Sequence, residues 1–190
     1  MLAAIRQAKA TARDRTWSVR GELTGVELPA SRAAGKTIGE VVIDLDATLG
    51  TAHSDKESAK GNFKGGFGCH PLGAWLDNTG EALAAVLRPG NAGSNTAADH
   101  LTVIDMALAQ LPDRWRDKPI LIRADGAGSS HALIAALSKQ GLEFSVCYPV
   151  TTLSGTPSRR SRSGRGRSPA TPTGICVSTL MSWRSSTCST

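Results

Sequence analysis

The chain has 190 residues, enough for one domain around a single core, and its hydrophobic content of 40% with only 4% aromatics predicts a core of small and aliphatic side chains. The formal charge of +6 is uneven: residues 1–150 hold sixteen basic and sixteen acidic residues, and the whole excess comes from six Arg after Val150. A uniformly basic, nucleic-acid-coating body is therefore excluded, as is a bilayer span, because no apolar run reaches the required ~18–20 residues. The start MLAAIRQAKATARDR lacks a signal-peptide core, so the expected location is cytoplasmic, without a membrane partner. Cys69, Cys147, Cys176 and Cys188 show no close pairing, which predicts incidental thiols rather than a disulfide framework or a structural zinc.

Three zones follow one another: an Ala/Arg-rich start (1–36), a patterned body (37–150) and a tail (151–190). In the first, IRQAKATARDRTWSVRGEL predicts a helix ending near Gly21, the remnant of a longer N-terminal region, with its basic residues on a solvated face. In the body, TIGEVVIDLDATL predicts a buried strand over about 38–49. Side chains alternate along a strand, so Asp44 and Asp46 share one face. FGCHPLGAWL and EALAAVLR predict two more strands, joined by the turn residues Asp77-Asn78-Thr79-Gly80. After Pro89-Gly90, Ser94, Asn95 or Thr96 is placed to cap a helix through Ala97, Leu101, Ile104, Leu108 and Leu111. Residues 119–124 predict a fourth strand, Ser129 or Ser130 the cap of a second helix stopped by Gly141, and residues 143–149 a fifth strand.

The resulting order, β-β-β-α-β-α-β, is that of a ribonuclease H-like mixed sheet, an α/β fold with acidic residues in its first strand and just after its fourth. Here those places hold Asp44 or Asp46, and Asp125. The tail SGTPSRRSRSGRGRSPATPTG has almost no apolar residues and no periodicity, which predicts disorder. Its abrupt change of composition at about residue 150 fits a shifted reading frame better than a basic nucleic-acid arm.

The segments IDLDAT, HSDKE, LRPGNAGSNTAADH and RADGAG, within residues 36–150, resemble the body of IS1380-type insertion-sequence transposases, which are DDE enzymes. The resemblance implies cleavage at transposon ends and joining of the freed 3′-hydroxyls to target DNA, with Mg²⁺ or Mn²⁺ as cofactor. It implies as partners the terminal inverted repeats and target DNA, with a dimeric synaptic complex in the intact protein. Asp46, which opens an Asp-x-Thr pattern, matches the family's first acidic motif, with Asp44 held as the alternative, and Asp125 matches the second. Metal ligation is expected of Asp46 and Asp125, where Gly126 and Gly128 would let the chain turn sharply. The third carboxylate, a Glu, is expected after the fifth strand, where this sequence has no Asp or Glu beyond Glu143. The expectation is thus a catalytic domain lacking its C-terminal part, and an inactive fragment.

Four further residues are candidates for contacting DNA: Lys56 after the first strand, and Arg88, Asn91 and Asn95 beside a helix start able to bind phosphate. Each has a plain alternative as a solvated turn or a helix cap. His53, which also follows the first strand, is a candidate for approaching the metals or the scissile strand, with a solvated turn as its plain alternative, and His70, His100 and His131 read as structural. Two other functions compete. Asp44-Leu45-Asp46-Ala47-Thr48 fits the signature of haloacid-dehalogenase-type Mg-dependent phosphatases, with Asp44 as nucleophile, but that fold requires a parallel sheet where a hairpin is predicted. The other is a non-catalytic DNA-binding remnant, whose neutral body would bind only modestly.

Overall fold

The computed structural model describes residues 1–33, 35–93, 96–128, 130–148 and 175–179. Helix α1 (Leu2–Thr24) runs past the expected stop at Gly21 and ends at Gly25, whose left-handed φ of 75° lets its N–H donate to Gly21 O at 2.9 Å. The helix belongs to the fold: Trp17 is 1% exposed and meets Trp115 edge to face at 5.8 Å. Buried Arg13 ties it to the sheet through Glu81 Oε2 at 2.7 Å and to Gln110 O at 3.0 Å.

Strands β1 (Ser31–Ala33) and β2 (Lys36–Ile38) form a short antiparallel pair. The first long strand, β3 (Val41–Ala47), is shorter than the apolar run suggested. A small sheet follows, from β4 (Gly50–Thr51), β5 (Lys60–Gly61) and β6 (Phe67–Cys69), in the order β4-β6-β5. FGCHPLGAWL is thus two strands, because Pro71 has no N–H for a continuous ladder; β6 leaves the main sheet and β7 (Leu72–Leu76) enters it. Asp77–Gly80 turns β7 into β8 (Glu81–Val86) as predicted, with Gly80 at φ 71° and its N–H donating to Leu76 O at 2.7 Å. Inside this turn the buried Asn78 accepts from Val42 N at 2.8 Å and donates to Pro29 O and Glu40 O, stitching three segments together.

Helix α2 (Ala97–Leu108), the short α3 (Asp113–Arg116), β9 (Ile120–Ala124), a 3₁₀ turn (Gly126–Gly128), α4 (His131–Lys139) and β10 (Glu143–Tyr148) complete the body. Thr96 stands at the N-cap of α2 without a side-chain cap bond, and the caps expected of Ser94, Asn95 and Ser129 lie outside the described residues. Ser130 does cap α4, its hydroxyl accepting from Leu133 N at 3.2 Å.

The main sheet has the order β11-β10-β9-β3-β7-β8, where β11 is Ile175–Thr179. Strands β3, β7 and β8 form the antiparallel meander, while β9 and β10 join parallel to β3 through helical crossovers. This mixed arrangement is ribonuclease H-like, as the element order predicts. One departure lies in the tail read as unstructured: Ile175–Thr179 pairs antiparallel with β10. Another is Cys147, read as an incidental thiol, which is disulfide-bonded.

The core lies on one face of the sheet. Val41, Ile43 and Leu45 of β3, Leu72, Ala74 and Leu76 of β7 and Ile120 and Ile122 of β9 meet Val103, Ile104 and Ala107 of α2 and Leu133 and Leu137 of α4. Removing one such aliphatic side chain from water contributes about 1.5–3 kcal/mol, so these positions hold the strands in register.

Candidate active site

Alternation puts Val42, Asp44 and Asp46 of β3 on the opposite face, which turns polar toward the strand's end: Val42 is buried, Asp44 half-buried and Asp46 exposed. The β3–β9 register ends at Leu45 against Ala124. Asp46 and Asp125 are each the next residue beyond that pair, so the two carboxylates stand at the ends of adjacent parallel strands although 79 positions apart in sequence. Both residues are exposed. Thr48 Oγ1 donates to Asp46 Oδ2 at 3.4 Å, which gives the Asp-x-Thr pattern a physical role in orienting that carboxylate.

Asp44 is differently engaged. Arg123, its register neighbour on β9, grips it with Nε to Oδ1 at 2.5 Å and Nη2 to Oδ2 at 2.6 Å. The same guanidinium reaches Asp77 Oδ1 at 3.0 Å, and Ser31 Oγ donates to the other oxygen of Asp77. The Asp44 hydrogen bonds raise the Arg123 pKa against partial desolvation, and the charges of Asp44 and Asp77 add to the effect. A carboxylate held at both oxygens by a cation is a poor nucleophile and a poor metal ligand. That bond, together with the antiparallel β7 beside β3, disfavours the phosphatase reading.

The chain turns after Asp125 through the 3₁₀ turn Gly126–Gly128, and Gly128 does so without a positive φ. Gly128 is needed for closeness: a Cβ there would stand 2.7 Å from the Ala124 Cβ and 3.5 Å from His100 Nε2.

Of the four DNA candidates, Lys56 and Asn91 are exposed and Asn95 lies outside the described residues. Arg88 is 2% exposed, donating to His70 O at 3.0 Å and Gly93 O at 3.2 Å and pairing with Asp99 at 3.4 Å, so its guanidinium braces the loop between β8 and α2, with Nη2 buried and unpartnered among the described residues. Lys56 and His53 line a shallow cleft of about 340 Å³ with Thr51, Ser54, Pro71 and Leu87. His70 and His100 are buried, with Nδ1 against Ala92 O and Thr96 O respectively, in keeping with structural roles. A residue the motif reading missed is Trp75, half-buried on the same face as Asp44, its direct partner across β3 and β7. The signal was present in LGAWL, whose Leu72, Ala74 and Leu76 point inward and therefore turn Gly73 and Trp75 out.

Hard divalent cations prefer carboxylate oxygens. Exposed Asp46 and Asp125 fit one such ion by donor chemistry. Among the described residues no group of three or more His, Cys, Asp or Glu side chains gathers to hold a metal, so a two-ion centre is not complete there. No helix among the described residues is long and apolar enough to cross a membrane.

In fold comparisons, the chain is similar to the catalytic domain of Mos1 mariner transposase, with 12% identity and a TM-score of 0.43 over 78% of this chain and 62% of that one. It is also similar to the Mos1 mariner paired-end complex with Mn, at 13% identity and TM-score 0.39, covering 72% of this chain and 42% of that one. A third likeness is to the Mos1 transposase paired-end complex with left transposon end, at 13% identity and TM-score 0.36, covering 72% and 41%. The chain thus spans less than two thirds of each of these structures. No curated protein matches it. The family model described as transposase DDE domain, group 1, matches residues 6–155, a span running from α1 through both aspartates and β10. The chain belongs to the DDE transposase domain family.

Proposed function

We propose that this chain carries part of the catalytic centre of a DNA transposase of the IS1380 type, with Asp46 and Asp125 as its metal-binding carboxylates. The observation that carries the reading is the register of β3 and β9, which leaves these two residues as neighbours at the strand ends. The substrates are transposon-end and target DNA, the cation is Mg²⁺ or Mn²⁺, and the intact protein works as a dimer on paired ends. Bound at such a centre, divalent cations activate the attacking oxygen and stabilise the leaving oxygen at phosphorus.

The chain's own residues divide the remaining work. Asp46 and Asp125 offer oxygens from two strands fixed by the core beneath them, so little reorganisation is required on binding. Thr48 orients Asp46 by its hydrogen bond. Arg123 pairs with both Asp44 and Asp77, which offsets one of these two further negative charges near the DNA backbone. Lys56, exposed and lining the cleft, is the residue assigned to meet a phosphate in this reading. With Asp46 and Asp125 as its two carboxylates at the centre, the 190-residue polypeptide is expected to bind one cation and not to nick DNA unaided.

The test is Mn²⁺ binding followed by electron paramagnetic resonance, with a 3′-end nicking assay on transposon-end DNA in parallel. One weak site per chain is expected, lost in both Asp46→Asn and Asp125→Asn, without nicking by the unmodified polypeptide. Retention of Mn²⁺ by both variants would remove the metal assignment. Nicking that disappears in Asp46→Ala would mean that a third ligand is recruited within this chain.

A further inference from the structure

Gly73 and Trp75 are consecutive outward residues of β7, and β3 places Asp46 opposite Gly73 and Asp44 opposite Trp75. The indole does not project straight out. A Cβ on Gly73 would meet Trp75 Cη2 at 2.1 Å, Cζ3 at 2.5 Å and Cζ2 at 2.8 Å, so the six-membered ring lies across Gly73 toward Asp46. Only glycine leaves room for it. The ring is half-buried and stacks on no other aromatic ring among the described residues, unlike Trp17 and Trp115, which pair with each other in the core. An aromatic surface is thereby set next to the carboxylate that the proposed chemistry uses.

We propose that Trp75 is a stacking platform for one unpaired nucleobase of the DNA strand at the Asp46–Asp125 centre. This deepens the transposase reading and rests on it. Bases within a duplex are covered on both faces by their neighbours, so the occupant is a base at a strand end or one turned out of the helix. Stacking tolerates any base, since every base has a π face. Trp75 therefore fixes the distance of the strand from the carboxylates rather than reading its sequence. It is a positioning residue for the scissile strand. Gly73 is part of the same device, because any side chain there would lift the ring.

The test uses the full chain in a Trp183→Phe background, which leaves Trp75 with the buried Trp17 and Trp115 as emitters. Titration with an eight-residue oligothymidylate is expected to quench the fluorescence, whereas an abasic oligonucleotide of equal length and charge leaves it unchanged. Trp75→Ala and Trp75→Leu should weaken oligothymidylate binding by roughly ten- to a hundredfold, Trp75→Phe by much less, and Gly73→Ala by an intermediate factor. The salt dependence of binding should be the same in all four, because no phosphate contact is altered. Circular dichroism melts establish that each variant is folded. Equal quenching by the abasic strand, or unchanged affinity in folded Trp75→Leu, overturns the proposal. Mn²⁺ binding without DNA reports separately on Asp46 and Asp125: its absence with quenching intact removes the metal reading alone, and the reverse result removes the platform alone.

Discussion

The two faces of β3 diverge after its first three residues, Val41, Val42 and Ile43, which are all completely buried. Ile43 is completely buried and Leu45 is 5% exposed, whereas the intervening Asp44 is half-buried and Asp46 exposed. On one face the strand is held by helices, and on the other it carries charge and the Trp75 ring. The lesson is that the acidic face gains its rigidity from the apolar one: the carboxylates are fixed because their backbone is shared with side chains that cannot move.

That contrast is broken most severely from the apolar side. Ile43→Ala should cost about 2–5 kcal/mol by urea denaturation, the usual loss for a large-to-small change in a closed core. Asp46→Asn, three residues away, should change stability by less than about 0.5 kcal/mol while removing Mn²⁺ binding. A large stability loss in Asp46→Asn would show that the two faces are not separable in this way.

The polar face has one structural member, Arg123, and its removal sharpens the comparison. Arg123→Gln leaves Asp44 and Asp77 facing each other without their shared cation, at an expected cost of about 1–2 kcal/mol after allowing for partial exposure. Adding Asp44→Asn should recover part of that loss, and a double-mutant cycle measures it. Gly73→Ala should cost less than about 1 kcal/mol in the same assay, because the clash is with the far end of a side chain rather than with backbone.

The smallest effect concerns Glu27, at the contact of the loop after α1 with α3. Its pKa is lowered by the hydrogen bond from Trp115 Nε1 at 2.7 Å, then by Arg114. A lowered folded-state pKa gives stability that is present above the unfolded value near 4.5 and is lost as pH falls through the folded one. Glu27→Gln should therefore be less stable than the parent at pH 7 by under about 1 kcal/mol, given the partly exposed carboxylate. The gap should close in denaturation curves taken at acid pH.

Long apolar runs and helix signals made most of the architecture readable: β3, β8, β9, β10, α2 and α4 lie where periodicity and caps put them. The neighbouring placement of Asp46 and Asp125, on which the proposed site rests, was also legible, because each falls at the end of a strand in a recognisable motif. What was hidden depends on contacts between distant segments. The two-residue strands β4 and β5 have no alternation of their own, and Gly68 reveals its need for close packing only when Gly50 O is found 1.9 Å from the place of a Cβ. Arg88 looks like a surface cation until Gly93, His70 and Asp99 close around it. Asp44 and Asp46 are indistinguishable by spacing alone; the Asp-x-Thr pattern favours Asp46, and the engagement of Asp44 by Arg123, on a strand 79 positions away, appears only in the fold.

The pairing of β3 with β9 also sets an order of events. The meander β3–β7–β8 closes short loops, but the acidic pair needs a parallel strand that arrives only after α2 and α3 have crossed over, and longer loops are slower to close. Any partly folded state holding just the meander contains Asp46 without Asp125, and so only half of the proposed cation site. Under that proposal metal binding is acquired late in folding, so an ion added during refolding should favour the finished sheet without speeding the formation of its first three strands.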